Sequence, residues 1–133
     1  YEFQNKIRET LAYMPYAEMV FVSAVTGQRL PKLFETIDMV IENQTLRIAT
    51  GVLNEIITEA VALQQPPSDK GKRLKIYYAT QSGVCPPPFV LFVNEPEIMH
   101  FSYERFLENK IRENFGFEGT PIKIVVRKRS EDE

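Results

Sequence analysis

A single cysteine, Cys85, a single histidine, His100, and no tryptophan occur in these 133 residues. One cysteine makes an internal disulfide impossible. Together with His100 it falls short of the four ligands a structural zinc site takes, so no metal site within one chain is expected. A serine–histidine mechanism would have to run through His100 alone, and no catalytic residue is expected. Long apolar runs are missing too. Met19–Val22 and Phe89–Val93 fall far below the roughly 18 residues a membrane span requires, so no membrane partner is expected. The first residues are charged and lack an apolar stretch, which predicts no secretory leader and a reducing, cytoplasmic compartment. No G-x-x-x-x-G-K-[ST] phosphate loop is present.

What is there reads as globular protein: 44% hydrophobic and 26% charged residues. The net charge of −2 hides an asymmetry. Residues 1–65 hold 5 basic and 8 acidic groups, whereas residues 66–133 hold 11 basic and 10 acidic. Three of those acids are the last residues, Glu131, Asp132 and Glu133. The second half is therefore mildly basic, well short of a dedicated nucleic-acid-binding arm.

Phe3, Ile7 and Leu11 recur at helical spacing and predict a helix over 2–13, ended by Met14-Pro15. Met19–Val22 is continuously apolar, which predicts a strand buried on both faces. After the loop Ser23–Gly27, Pro31 opens a helix whose apolar face runs through Leu33, Phe34, Ile37, Val40 and Ile41 to about Asn43. Residues 1–43 thus read helix, strand, helix: the end of a doubly wound α/β domain with one strand and no sheet. Residues 44–49 are a connection. Thr50 is the expected cap of a helix bearing Leu53, Ile56, Ile57 and Val61. Arg73–Gln81 alternates, which predicts a half-exposed strand with Leu74, Ile76 and Tyr78 inside and Arg73, Lys75 and Tyr77 outside. Phe89–Val93 pairs with it across a proline-rich turn. Ser102 is expected to cap the next helix, with Phe106, Leu107, Ile111 and Phe115 inward and Gly116 at its end. Ile122–Arg129 is the last strand. Residues 50–133 thus predict an α-β-β-α-β domain of the α+β class. Its expected core is Ile56, Ile57, Val61, Ile76, Tyr78, Leu91, Phe106, Ile111, Ile124 and Val126.

Few residues suggest chemistry. Asn5-Lys6-Ile7-Arg8 begins like a guanine-reading N-K-x-D but lacks the aspartate. Gly116-Phe117-Glu118-Gly119 matches the G-x-x-G backbone clamp of RNA-binding KH domains. Here it joins a helix to a strand, and Glu118 would repel phosphate, so a helix cap and turn is the reading adopted. Cys85 has no activating partner in sequence, and Pro86–Pro88 reads as a rigid turn. The basic residues carry more. Arg73, Lys75 and Tyr77 share one strand face, and Lys123, Arg127 and Arg129 share another. If the faces coincide, the sheet offers phosphate contacts and an aromatic ring for a stacked base. An ordinary solvated charged face is the alternative.

Longer motifs point to a family. They are Lys72–Gln81 (KRLKIYYATQ), Pro88–Asn94 (PFVLFVN), Phe101–Asn109 (FSYERFLEN) and Phe115–Ile124 (FGFEGTPIKI). With Ser-Ala-Val-Thr-Gly at 23–27, they resemble the C-terminal part of the Der (EngA) family of bacterial GTPases. That family has two tandem G domains and a terminal KH-like domain. The resemblance implies a parent protein that uses GTP and magnesium and acts in assembly of the large ribosomal subunit. Its partners would be that subunit or its ribosomal RNA, and its own G domains. It also implies that Ser23, Ala24 and Val25 line the guanine base, with the Ala24 amide donating to the base carbonyl. The phosphate loop and switch regions are absent here, so this chain alone is expected to hold no nucleotide. A regulatory module that packs on the G domains and senses their nucleotide is the competing role for the KH-like domain.

Overall fold

The computed structural model describes residues 1–130; the acidic Glu131, Asp132 and Glu133 lie outside them. Two helices open the chain, α1 (Glu2–Thr10) and α2 (Leu30–Gln44). Then come α3 (Thr50–Leu63), the two-residue strands β1 (Ser68–Asp69) and β2 (Lys72–Arg73), and β3 (Ile76–Gln81). The chain continues through β4 (Pro88–Val93), a 3₁₀ turn (Pro96–Ile98), α4 (Phe101–Phe115) and β5 (Lys123–Lys128).

One three-stranded sheet, ordered β3-β4-β5, organises the second part. β3 and β4 form the expected antiparallel hairpin, and β5 returns parallel to β4 after the α4 crossover. Both long helices cover one sheet face. Leu53, Ile57 and Ala60 of α3 and Tyr103, Leu107 and Ile111 of α4 form a common core with Ala79, Phe89, Leu91 and Val93. Phe117 and Ile122 close it at the α4–β5 connection. This is the expected α+β, KH-like α-β-β-α-β arrangement.

Several sequence expectations change. Met19–Val22 forms no strand. It runs extended without a ladder, and Phe21 and Val22 are exposed. A parallel strand takes its hydrogen bonds from neighbours, and among the described residues no strand pairs with these; the Phe21 ring lies 5.9 Å from that of Phe3. The first helix stops at Thr10 rather than residue 13. Neither α1 nor α2 buries a residue, so their apolar faces stand open. The long strand expected over Arg73–Gln81 breaks. Lys70 and Gly71 both have positive φ (51° and 81°) and fold β2 back on β1, as a two-residue hairpin turn requires. Helix caps shift by a residue or two. Ala49 precedes α3 without a side-chain cap, and His100 rather than Ser102 caps α4, its ring Nδ1 accepting from the Ser102 amide.

Tyr78 is the main correction to the core. A register shift between Ile76 and Tyr78 makes Tyr77 an extra residue: Ile76 faces Val93, and Tyr78 already faces Phe92. Such a bulge reverses the alternation beyond it. Tyr78 therefore lies on the open sheet face, stacked on Phe92 at 4.4 Å, and Ala79 takes the core position. Of the other expected core residues, Ile57, Leu91 and Ile111 are fully buried. Val61, Ile76, Phe106, Ile124 and Val126 pack against the core half-buried, and Ile56 is half-buried outside the cluster.

Candidate nucleic-acid interface

β3 begins beside the end of β4, and the end of β4 lies beside the end of β5. One end of the sheet therefore gathers the approach to β3 and the exit of β5. Asn94, just beyond β4, fastens this corner. Its side-chain oxygen accepts from the Lys75 amide (2.8 Å) and the Glu95 amide (2.9 Å), and its amide nitrogen donates to the Arg73 carbonyl (3.0 Å). Both its donor and its acceptor are thus engaged by backbone, which pins Arg73 and Lys75 to the sheet. The Arg73 guanidinium donates to Gln65. Just past β5 the Arg129 amide donates to the Val93 carbonyl (2.9 Å). That places the Arg129 guanidinium 4.5 Å over the ring of Tyr77, a cation–π stack. Tyr77 is 45% exposed because the bulge turns it outward.

Four of the six residues singled out from sequence therefore meet at one corner: Arg73, Lys75, Tyr77 and Arg129. Arg127, opposite Phe92, lies on the open face next to it. Lys123 does not join them. It pairs with Pro88 at the other end of β5, about 20 Å away along the strand. Lys128, left out of the sequence-based set, lines the same cleft as Tyr77, Asn94 and Arg129; the unbroken run Arg127-Lys128-Arg129 was the available signal. Asn94 had no sequence signal, since its role depends on backbone groups of Arg73 and Lys75, about 20 positions away.

The 116–119 stretch has another occupant. The Gly119 amide donates to the Tyr16 carbonyl (2.9 Å), and the Asn43 side chain donates to the Glu118 carbonyl (2.8 Å). Arg112 ties the turn to α4, donating to the carbonyls of Phe117 (3.0 Å) and Thr120 (2.9 Å) while its guanidinium lies 4.8 Å over the Tyr16 ring. The turn thus holds the N-terminal helices against the sheet domain. Gln81 and the hairpin turn add to the join. Gln81 bridges the Leu46 carbonyl (2.7 Å) and the Ile48 amide (2.7 Å), and the Cys85 amide donates to the Gln44 carbonyl (3.0 Å).

Ser23, Ala24 and Val25 sit in a tight turn closed by the Gly27 amide on the Ser23 carbonyl (2.8 Å) and by the Thr26 amide on Ser23 Oγ (3.3 Å). Ala24 and Val25 form its exposed tip. Among the described residues no helix is long and apolar enough to cross a membrane.

Comparison with known proteins agrees with the fold. Residues 47–127 match the family model described as the KH-domain-like region of EngA bacterial GTPase enzymes, C-terminal. The chain is 64% identical over 133 residues to a GTPase Der of Lachnospira eligens, covering all of this chain and 30% of that protein. It is 65% identical over 129 residues to a GTPase Der of Agathobacter rectalis, covering 97% of this chain and 29% of that protein. A GTPase Der of Lachnoclostridium phytofermentans is 62% identical over 133 residues, with 100% and 30% covered. This chain spans under a third of the length of these curated relatives. It belongs to the Der (EngA) family of bacterial GTPases and corresponds to the C-terminal part that ends in the KH-like domain.

Proposed function

We propose that this chain is the RNA-contacting end of a cytoplasmic GTP-binding protein that acts in assembly of the large ribosomal subunit. Residues 1–43 are the end of a G domain, 44–49 a connection and 50–133 the KH-like domain. The observation that carries the reading is the corner where Arg73, Lys75, Lys128 and Arg129 surround an exposed tyrosine. Glu95, next to Asn94, pairs with Lys72 (3.9 Å). Excess positive charge beside a stacking ring suits a polyanion whose bases can stack. Arg127 extends the charge onto the open face, and Lys123 adds a separate contact at its far end. In the parent protein, as the family resemblance implies, Ser23, Ala24 and Val25 line the guanine; the exposure of Ala24 and Val25 at the turn tip is compatible with that. GTP hydrolysis itself needs a phosphate cradle and a held magnesium ion; both belong to the parent protein outside these residues.

Filter binding of folded variants to large-subunit RNA fragments at several salt concentrations tests the reading. Arg127→Ala with Arg129→Ala should weaken binding to every RNA. It should also flatten the salt slope by up to about one unit per lost contact. Binding equal to wild type in that double variant, with loss of binding in a folded Gly119→Asp, would show that the wrong surface was chosen.

A second reading rests on the 116–119 turn. Because it is held by Tyr16 and Asn43, the KH-like domain is also placed to sense movement in the G domain that precedes it. Nucleotide-dependent protection of the Gly119 amide in the full-length protein would support that role.

A further inference from the structure

Two open clefts meet at Tyr77. One, of about 530 Å³, lies between the C-terminal end of α3 and the outer edge of β3. Its floor is apolar, from Val61, Pro66, Leu74 and Ile76, and its rim carries Arg73 and Lys75. The other, of about 350 Å³, lies on the far side of Tyr77 and is lined by Asn94, Lys128, Arg129 and Ser130. No carboxylate lines either cleft among the described residues.

We propose, on the basis of the RNA reading above, that these two clefts form one track for a short unpaired stretch of RNA, with a base stacked at the Tyr77–Arg129 pair. A duplex hides its bases and presents phosphates at fixed spacing. It could use the charges here but neither the apolar floor nor the stack. An unpaired strand can use all three: bases on the floor and against the guanidinium plane, phosphates on Arg73, Lys75 and Lys128. Asn94 makes the track rigid, since it fixes the backbone of Arg73 and Lys75 before any ligand arrives. Preorganised cations lose less freedom on binding.

A peptide strand added to the open edge of β3 is the competing occupant, since among the described residues that edge pairs with no other strand. The bulge at Tyr77 argues against it. A ladder added along Leu74–Ala79 would lose register at the bulge, and bulges are one way natural sheets blunt their edges. The basic rim also has no use for a neutral strand.

The test is fluorescence anisotropy of the 133-residue chain with a short single-stranded oligonucleotide, the matching blunt duplex and an oligoglutamate peptide at one low salt concentration. The single strand should bind most tightly. Tyr77→Ala should weaken it about 5- to 150-fold, the range of losing one stacked base, and should leave duplex affinity unchanged. Tyr77→Phe keeps the ring and should bind as wild type, which separates stacking from misfolding. Arg129→Lys keeps the charge and loses the plane; it should lose most of the preference for the single strand while keeping the salt slope. Lys32→Ala, an exposed cation on α2 away from both clefts, should not affect the short oligonucleotide. Equal binding of single strand and duplex, with Tyr77→Ala silent on both, overturns the track while the RNA reading survives. A loss with Lys123→Ala as large as with Tyr77→Ala moves the strand to the open sheet face and also overturns it. Tight oligoglutamate binding without RNA binding overturns both the track and the RNA reading.

Discussion

Replacing Gly119 by alanine puts a methyl group where α2 already lies. A Cβ built on Gly119 would fall deep inside the contact radius of Val40 Cγ2, with Val40 Cβ at 3.3 Å and Cγ1 at 3.4 Å. The residue also sits at φ +82°, where a side chain costs roughly 1–2 kcal/mol. Forcing a methyl into an occupied space adds about 1–3 kcal/mol, so Gly119→Ala should cost about 2–5 kcal/mol in all. The two parts separate in a double-mutant cycle. Val40→Ala alone should cost about 1 kcal/mol, because Val40 is only half-buried. Combined with Gly119→Ala it removes the steric part and leaves the backbone part, which predicts a favourable coupling of about 1–3 kcal/mol. The readout is native-state hydrogen exchange. α2 buries nothing, so the cheapest relief is for it to lift off. The amide of residue 119, bonded to the Tyr16 carbonyl, should then exchange faster while amides of the α4 core around Leu107 and Ile111 hold. Additive effects of the two substitutions within about 0.5 kcal/mol would refute the argument, as would faster exchange throughout α4 with none at residue 119.

Three further outcomes are expected, two of them from the core. Ile57→Ala empties a site with 3% exposure between α3 and the sheet and should cost about 2–5 kcal/mol in urea melts; a loss under about 0.5 kcal/mol would place the side chain elsewhere. The Tyr103 hydroxyl donates to the Gln64 carbonyl (2.8 Å), and burial pushes its pKa up to about 12. The folded state thus disfavours the phenolate. Its stabilising contribution, on the order of 2 kcal/mol, is whole below pH 10 and fades as pH rises from 10 through 12. Near-ultraviolet titration should show one late-ionising tyrosine that Tyr103→Phe removes. Calorimetry of this chain with GTP and magnesium should show no tight binding, and micromolar binding would contradict the placement of the phosphate site outside it.

The helices around Ile57 and Leu107 were legible in sequence because burial on one face leaves a period that local reading recovers, and the Phe89–Val93 strand because it is a short continuous apolar run bounded by turn residues. So was the α-β-β-α-β order, and the motif runs between Lys72 and Ile124 were long enough to suggest the family. Other features depended on partners distant in sequence. Met19–Val22 has the composition of a buried strand, yet a strand exists only where a neighbour supplies its hydrogen bonds. Alternation put Tyr78 in the core, and one extra residue at Tyr77 moved it to the opposite face; the bulge lies in the pairing of β3 with β4, which neither strand carries alone. The same pairing decided which basic residues are neighbours. Arg73 and Arg129 are 56 positions apart in the chain and come to one corner, whereas Lys123 and Arg129 share a run and lie at opposite ends of it. Charge and period are local properties of a sequence, but proximity across a sheet is set by register, and register is fixed only when the strands meet.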